Sequence, residues 1–324
     1  STEPFGSEPQ DELLSRMSNS EMNRRMDLSI IVVNFNTGKF LEKCLVSVIN
    51  ACKNLVCEIL VVDNSSHDGS EQVAKKFGGV TLIKNKENLG FAKANNIALR
   101  QIFGKYVLLL NPDTQVGQGT FVKMIEFMDR YPEAGAATCK VVLPNGEVDW
   151  ASHRGFPTPW NSFAYFVRLS KLFPKLKFFA GYHQTYKNLG KTHEIDSPSG
   201  TFYMVRKEVI DRVGLLDEDY FMYGEDLDWS YRIKQAGYKI FYVPQTKILH
   251  YKGIASGIKE HTIKISQAAQ STRLKAAQSF YETMKIFYNK HYQNKYPKFI
   301  KWLTFLGINL LKNRRLAKLQ GITP

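Results

Sequence analysis

Short apolar runs alternate with amphipathic stretches along the first third of the chain. Four short, largely apolar runs are typical of buried strands in a parallel sheet, at 28–33, 58–63, 80–84 and 106–110, the first of them β-branched. Three stretches between them carry apolar residues at helical spacing and are predicted as helices, at 38–52, 70–77 and 91–103. The alternation without long loops predicts an α/β fold with a mostly parallel central sheet flanked by helices.

This regular alternation stops between residues 138 and 196, where the chain is rich in aromatic and basic residues. We expect most of the aromatic rings to lie in the core, and some of them to form a mobile wall for an acceptor. Further strands are predicted at 200–205 and at 239–243, the second ending at Pro244. The first 26 residues are polar, lack apolar periodicity and are predicted to be a flexible tail with no signal peptide.

Polar residues follow each of the first four predicted strands, where a parallel sheet binds its ligands. They are Asn34 and Asn36, then Asp63 to Ser66, then Asn85 to Asn88, then Asn111 and Asp113. Turn formation alone explains any one of these groups, but four in register favour a binding site. The chain has neither the glycine pattern of a dinucleotide site nor that of a P-loop after these strands.

Three carboxylates lie within four residues of one another, in Tyr-Gly-Glu-Asp-Leu-Asp-Trp at 223–229. Like charges beside aromatic rings raise one another's pKa, which suits a general base that accepts a proton from a sugar hydroxyl. Acidic residues are also common in the first turn of a helix, where they stabilise the helix dipole. The sequence by itself leaves both interpretations open.

Taken together, these motifs resemble inverting glycosyltransferases of family 2, which have the GT-A fold, and most of all the bacterial rhamnosyltransferases of O-antigen and polysaccharide synthesis. The resemblance spans about 27–256. It rests on Val-Val-Asn-Phe-Asn36, Val-Val-Asp63-Asn-Ser-Ser-His-Asp68-Gly, Asn88-Leu-Gly-Phe-Ala-Lys-Ala-Asn95-Asn96, Leu-Leu-Asn-Pro-Asp113, Gly224-Glu-Asp226-Leu-Asp-Trp and Leu-His250. It implies a nucleotide-binding half at 27–137 and an acceptor-binding half at 138–258, which together form one GT-A domain over 27–258.

The resemblance also implies roles for individual residues. Asp63 would bind the nucleotide base, because a carboxylate accepts a hydrogen bond from the N3–H of uracil or thymine. The other residues implied in donor binding are Asn34, Asn36, Asn64, Asp68, Lys86, Asn88, Asn95 and Asn111. Asp226 would be the general base, and Glu225 would orient the acceptor or the base.

Family members commonly bind a divalent metal through an Asp-x-Asp motif, but this chain has Asn111-Pro-Asp113. Asp113 and His250 would then hold Mg²⁺ or Mn²⁺ together with diphosphate oxygens. The missing first carboxylate leaves strict metal dependence open. A histidine satisfied at a strand end is the alternative for His250.

The activity implied is transfer of rhamnose from dTDP-rhamnose, with inversion, to a lipid-linked or polysaccharide acceptor. UDP-GlcNAc, UDP-Gal and UDP-Glc remain alternative donors. Net charge is +14, and nine basic residues with no acidic one follow residue 282. That excess leaves a non-catalytic polyanion-binding protein as an alternative. Because the charge is confined to the tail rather than a groove, we predict no nucleic-acid partner.

The region 259–324 is predicted to be a basic, amphipathic helical extension. Apolar and basic residues are interleaved over 299–319, as in helices that lie on anionic membranes. Packing on its own domain or on a second subunit is the alternative, and a homodimer is left open. No apolar run is long enough to span a bilayer, and the four cysteines form no CxxC pair and are predicted to be free thiols. We therefore expect a cytoplasmic enzyme attached peripherally to the inner face of a bacterial plasma membrane.

Overall fold

The computed structural model describes residues 26–253 and 270–320. One mixed sheet organises the first range, in the order β3-β2-β1-β4-β8-β6-β9-β5, with β7 also paired to β9. Its strands are β1 Leu28–Asn34, β2 Cys57–Asp63, β3 Val80–Lys84, β4 Tyr106–Leu110, β5 Thr114–Val116, β6 Ala134–Val142, β7 His193–Ile195, β8 Phe202–Arg206 and β9 Lys239–His250.

Helices cover both faces of this sheet. Their bounds are α1 Gly38–Ala51, α2 Ser70–Lys75, α3 Phe91–Leu99, α4 Thr120–Arg130, α5 Pro159–Phe166, α6 Leu169–Leu172, α7 Lys207–Val213, α8 Glu225–Gln235, α9 Gln270–His291 and α10 Lys298–Gln320. Helix α1 buries Leu41, Leu45 and Val48 in one apolar cluster. Helices α3 and α8 contribute Ala94 and Trp229 to a second one.

The predicted α/β architecture is confirmed, and β3, β2, β1 and β4 are parallel throughout. Antiparallel neighbours enter at β8, which lies between β4 and β6. The sequence gives no sign of this change, because strands β5, β6 and β7 fall where its apolar pattern is irregular.

Strand β9 continues through Pro244, so the prediction that the strand ends there is wrong. Its pairing with β6 shifts between Cys139 and Lys140, whose partners are Val243 and Lys247. The residues between these partners form a bulge, in which a proline removes no ladder hydrogen bond. Beyond the bulge, β9 runs on to His250.

The C-terminal helix α9 packs on the domain, and α10 packs on α9. Phe287, Tyr288 and Tyr292 of α9 join Tyr220 and Leu227 in a third apolar cluster. The extension is therefore docked through α9, and α10 runs unbroken across Gly307. Met26 is buried, whereas the remainder of the predicted tail, 1–25, and residues 259–269 of the extension lie outside the described residues.

The aromatic residues between 150 and 186 are not in the core, so that expectation is wrong. All eleven are intermediate or exposed: Trp150, Phe156, Trp160, Phe163, Tyr165, Phe166, Phe173, Phe178, Phe179, Tyr182 and Tyr186. The segment leaves the sheet as a long excursion, so its rings pack mainly on one another. None of the helices in the described ranges is both long enough and apolar enough to cross a membrane.

Candidate active site

The carboxyl ends of β1 and β2 bring Asn34 and Asp63 side by side, since the two residues are register partners. The amide of Asn34 donates to Asp63 Oδ1 at 3.0 Å, and the backbone N–H of Ser66 donates to Asp63 Oδ2 at 3.0 Å. Thr37 Oγ1 in turn donates to Asn34 Oδ1 at 2.5 Å. The Asp63 carboxylate is thus held in one orientation at the sheet edge, with lone pairs left over for a ligand.

Asn64 fixes the loop that follows β3. Its amide nitrogen donates to Asn88 Oδ1 at 2.9 Å and to the Gly90 carbonyl at 3.2 Å. Its oxygen accepts from Asn85 Nδ2 and from the Leu89 N–H, both at 3.0 Å. With all these groups bonded, Asn64 positions the loop, and exposed Lys86 projects from that loop into solvent.

Asn36 and Asp68 tie neighbouring turns together. Asn36, at φ 53°, accepts from the His67 N–H at 2.8 Å. Asp68 accepts from the Gly38 N–H at 2.8 Å and from the Ser70 N–H at 3.1 Å. Asp68 therefore caps the N-termini of α1 and α2 at once, which is a stabilising role by itself.

Asn95 lies inside α3 rather than at a strand end. It is 1% exposed, and its amide donates to the Phe91 carbonyl at 2.9 Å one turn earlier. Its neighbour Asn96, which the sequence did not single out, bonds the Leu216 carbonyl and N–H at 2.8 and 3.1 Å. Asn96 thereby connects α3 to the chain leading into the acidic cluster, whereas Asn95 bonds within α3.

Strand β5 pairs with the end of β9, and this pairing sets Asp113 beside His250. His250 Nε2 lies 3.2 Å from Asp113 Oδ1, and Nδ1 lies 2.9 Å from Asp149 Oδ2. Burial opposes a charge on the ring, but Asp113 and Asp149 outweigh it and raise the pKa of His250 to about 9. Asp149 was missed by the sequence analysis, because it is 101 residues from His250 and has no motif around it.

The Asp113–His250 pair fits two positions of a divalent-metal site. His250 Nε2 is buried and has no aligned hydrogen-bond partner, although it lies close to the Asp113 carboxylate. A carboxylate on Nδ1 is the usual means of orienting a metal-ligating imidazole. Within the described residues no third His, Cys, Asp or Glu completes the set, so substrate oxygens would have to supply the other ligands.

The acidic cluster begins α8, but its three carboxylates have different partners. Asp228 is buried and bonds Arg232 Nε at 2.8 Å and His291 Nε2 of α9 at 2.7 Å. Although burial alone would raise the pKa of Asp228, His291 and Arg232 lower it. Asp228 is therefore part of the contact that docks α9.

Asp226 is paired with a buried arginine that the sequence analysis did not identify. Arg154 Nη2 donates to Asp226 Oδ2 at 2.7 Å, and the Gly200 N–H donates to the same oxygen at 3.2 Å. Asp226 Oδ1 accepts from the Leu227 N–H at 2.7 Å. Burial disfavours the guanidinium charge, but Asp226 outweighs it and raises the pKa of Arg154 above its ordinary value.

Glu225 differs from Asp226 in having no paired cation among the residues that the structure describes. Its Oε2 is buried and has no hydrogen-bond partner among those residues. Burial and the neighbouring Asp226 raise the pKa of Glu225 to about 8. The turn before it needs Gly224, at φ 86°, because a Cβ there would lie 2.1 Å from Thr283 Cγ2 of α9. The docked helix thus helps to shape the acid turn.

Backbone hydrogen bonds link the acid pair to the end of β4. The Asn111 N–H donates to the Thr201 carbonyl at 3.1 Å, and Gly200, the preceding residue, donates to Asp226. On the other side, the Phe91 N–H donates to the Phe221 carbonyl at 2.7 Å. The structure therefore places Asn34, Asp63, Asn111, Asp113, Glu225 and Asp226 around one edge of the sheet.

The chain was compared with known proteins. Residues 29–214 match the model of glycosyl transferase family 2. The chain is 30% identical over 242 residues to an N-acetylglucosaminyl-diphospho-decaprenol L-rhamnosyltransferase of Mycobacterium tuberculosis, which covers 71% of this chain and 78% of the relative. It is 27% identical over 232 residues to rhamnosyltransferase WbbL of Escherichia coli K12, which covers 68% of this chain and 82% of the relative.

A mannosyltransferase of Pyrobaculum calidifontis, solved with GDP-mannose and Mn²⁺, superposes with a TM-score of 0.54 at 17% identity, over 92% of this chain and 74% of that one. This likeness shows that the fold is GT-A. The family match over residues 29–214 shows that the chain is a glycosyltransferase. It belongs to glycosyltransferase family 2, and its homologues include rhamnosyltransferases.

Proposed function

We propose that this enzyme transfers rhamnose from dTDP-rhamnose, with inversion, to a hydroxyl of a lipid-linked or polysaccharide acceptor. The observation that carries the proposal is the short hydrogen-bonded connection between Asn111, which precedes the proposed metal ligand Asp113, and Asp226. It runs through Thr201 and Gly200. In the proposed reaction, this connection would hold the proton-accepting carboxylate beside the leaving diphosphate. Two homologues with rhamnosyltransferase names support the sugar.

In this proposal Asp63 and Asn34 bind the base, and Asn64 shapes the loop that carries Asn88 and Lys86 toward the donor. Asp226 accepts the proton of the acceptor hydroxyl as that oxygen bonds the anomeric carbon and the bond from that carbon to the diphosphate breaks. Arg154 holds the Asp226 carboxylate in position through its hydrogen bond of 2.7 Å, and Glu225, with its raised pKa, orients the acceptor hydroxyl. The products are the glycoside and the nucleoside diphosphate.

Asp113 and His250 would hold Mg²⁺ or Mn²⁺, with Asp149 orienting the histidine. The cation would offset charge on the leaving diphosphate. Two GT-A structures similar to this chain were solved with Mn²⁺, which supports a divalent ion here. Because Asn111 replaces a carboxylate, the affinity of the ion should depend strongly on Asp113.

The test of this function is donor hydrolysis with dTDP-rhamnose, UDP-GlcNAc, UDP-Gal and UDP-Glc, each with MgCl₂, MnCl₂ or EDTA. Faster hydrolysis of dTDP-rhamnose supports the proposal. Hydrolysis of a UDP-sugar instead would keep the fold and change the donor. Stabilisation in thermal shift by oligonucleotides alone, with no effect of nucleoside diphosphates, would favour the polyanion-binding alternative.

We also propose that α10 attaches the enzyme to anionic membrane surfaces on the cytoplasmic side. One face of α10 packs on α9, where Lys312 donates to Glu282 at 2.8 Å. The other face exposes a stripe of apolar residues, Phe299, Trp302, Leu303, Leu306 and Leu310. An exposed stripe of this size marks an interaction surface. The name of the mycobacterial relative contains a lipid-linked substrate, which supports a membrane as the partner of this stripe.

Flotation with liposomes tests this attachment. Truncation near Tyr281 would remove Phe287 and Tyr292 from the third apolar cluster, so a surface variant is the better choice. Trp302→Ser/Leu306→Ser/Leu310→Ser should remain folded and float less with anionic vesicles. A wild-type dimer that this variant converts to a monomer would instead assign the stripe to a homodimer interface.

A further inference from the structure

The excursion between β6 and β7 carries a second apolar and basic surface, separate from α10. We name residues 156–181, which include α5 and α6, the aromatic loop. Its outer side chains are unusually exposed for apolar residues: Phe163 53%, Val167 49%, Leu172 69%, Leu176 52% and Phe178 64%. Residues 171–178 are exposed without interruption.

The inner side of the loop is built to hold this shape. Trp160 Nε1 donates to the Phe178 carbonyl at 2.7 Å, and the two rings lie 4.7 Å apart. Phe173 packs on Phe179 at 5.0 Å. Ala164 and Ala180 are buried beneath them. The outer apolar residues are therefore presented by a packed element.

The charge of the loop has one sign. Arg168, Lys171, Lys175 and Lys177 are all exposed, and no acidic residue occurs between Asp149 and Glu194. Within the described residues no ion pair involves these four cations, although many other lysines of the enzyme have carboxylate partners. Apolar residues interleaved with unpaired cations form a surface complementary to anionic lipid headgroups and the acyl chains beneath them.

The stem of the loop lies next to the acid pair. The Gly155 N–H donates to the Tyr182 carbonyl at 2.7 Å, which closes the two ends of the loop. Gly155 has no room for a Cβ, which would lie 2.1 Å from the Gly181 carbonyl oxygen. The residue before it, Arg154, is the one that bonds Asp226. The stem of the loop is therefore close to the proposed general base.

We propose that the aromatic loop inserts its exposed apolar side chains into an anionic bilayer and so holds the acid site at the membrane surface. This inference rests on the proposed lipid-linked acceptor and adds a second contact to that of α10. Self-association through the loop is disfavoured, because a symmetric dimer would set the same unpaired cations against one another.

Flotation of the full-length enzyme tests the proposal, using phosphatidylcholine vesicles with and without phosphatidylglycerol. Two loop variants separate the contributions: Val167→Ser/Leu172→Ser/Leu176→Ser, and Lys171→Gln/Lys175→Gln/Lys177→Gln. The matched control Lys53→Gln/Lys93→Gln/Lys123→Gln removes three exposed cations elsewhere. Each variant is made both with native α10 and with Trp302→Ser/Leu306→Ser/Leu310→Ser.

We expect the apolar variant to lower partitioning about tenfold or more with both vesicle types. The loop charge variant should lower partitioning by a similar factor with anionic vesicles alone, and the control should bind like wild type. Unchanged binding of both loop variants would overturn the proposal. The proposal would also be overturned if sedimentation showed that the wild-type enzyme is a dimer and that the loop variants are monomers. Donor hydrolysis without vesicles should be unchanged in the loop variants. If the wild-type enzyme hydrolysed no donor, that would contradict the proposed activity, but the conclusion about vesicle binding would stand.

Discussion

The donor edge lies at the ends of β1 and β2, and the acid site lies at the start of α8. The two regions differ in whether all their buried polar atoms have hydrogen-bond partners. At the donor edge Asn34, Asp63 and Asn64 each have several hydrogen-bond partners. At the acid site, three atoms are buried and have no hydrogen-bond partner within the described residues: Arg154 Nε, Ser199 Oγ and Glu225 Oε2. Most buried polar atoms in proteins are paired, so the acid site is the unusual one.

This contrast fits the proposed division between donor binding at the donor edge and proton transfer at the acid site. A bonded amide and carboxylate network is rigid, and it can recognise a base without reorganising. The Glu225 carboxylate, with one oxygen unpartnered within the described residues, has a raised pKa, so it can donate a hydrogen bond to a substrate beside Asp226, the proposed base. The contrast predicts that variants at the acid site change rate, whereas variants at the donor edge change affinity.

The largest effect is expected from Asp226→Asn. Loss of a general base lowers rate by about 10²–10⁴, so transfer should nearly vanish while nucleotide binding measured by calorimetry stays intact. Glu225→Gln is the matched comparison and should retain more activity. Near-native transfer by Asp226→Asn would move the base to Glu225.

Asp113→Ala should abolish metal-dependent donor binding, and His250→Ala should weaken it less, because a carboxylate supplies charge as well as a ligand. Removing the partner that orients the histidine, in Asp149→Asn, should lower metal affinity by about 10–100-fold. Paramagnetic resonance of Mn²⁺ with nucleoside diphosphate present measures this directly. Activity of wild type that persists in excess EDTA would show that the Asn111 variant motif functions without metal.

Asp63→Ala should weaken donor binding with little loss of folding stability. A hydrogen bond to a charged group contributes about 1.5–3 kcal/mol, and Asn34 keeps Ser66 Oγ as a partner at 3.0 Å. Calorimetric titration with dTDP and UDP measures the change. Unchanged affinity for both nucleotides would remove Asp63 from the site.

The smallest effect concerns stability and its pH dependence. The pKa of Glu225 is raised from 4.5 to about 8 on folding, so the folded state binds more protons over that interval and stability is lost as pH rises through it. Glu225→Gln lacks this ionisation, so its free energy of unfolding should rise relative to that of wild type as the pH rises from about 4.5 to about 8. Denaturant unfolding at several pH values measures it, and parallel pH profiles would show that Glu225 ionises normally.

The parallel half of the sheet was predictable because its signals are local. The apolar runs of β1, β2 and β4 are buried on both faces, and the asparagines after them lie at the expected edge. The second half was not, since β5, β6 and β7 are defined by pairing with β9 rather than by their own apolar pattern. The aromatic residues of 150–186 were misjudged because ring content does not reveal whether a segment leaves the core.

The sequence by itself determined the class of enzyme and the identity of the polar residues at the strand ends, because these depend on short motifs and on strand order. Only the tertiary structure decided which of those residues have partners. Arg154, Asp149 and His291 lie 72, 101 and 63 residues from the groups they bond, and no local pattern marks them. Charge pairing acts through space over a few ångströms, so it is fixed only when distant segments pack together. That packing distinguishes Asp228, which bonds His291 of α9, from Asp226 and Glu225, for which we propose the roles in catalysis.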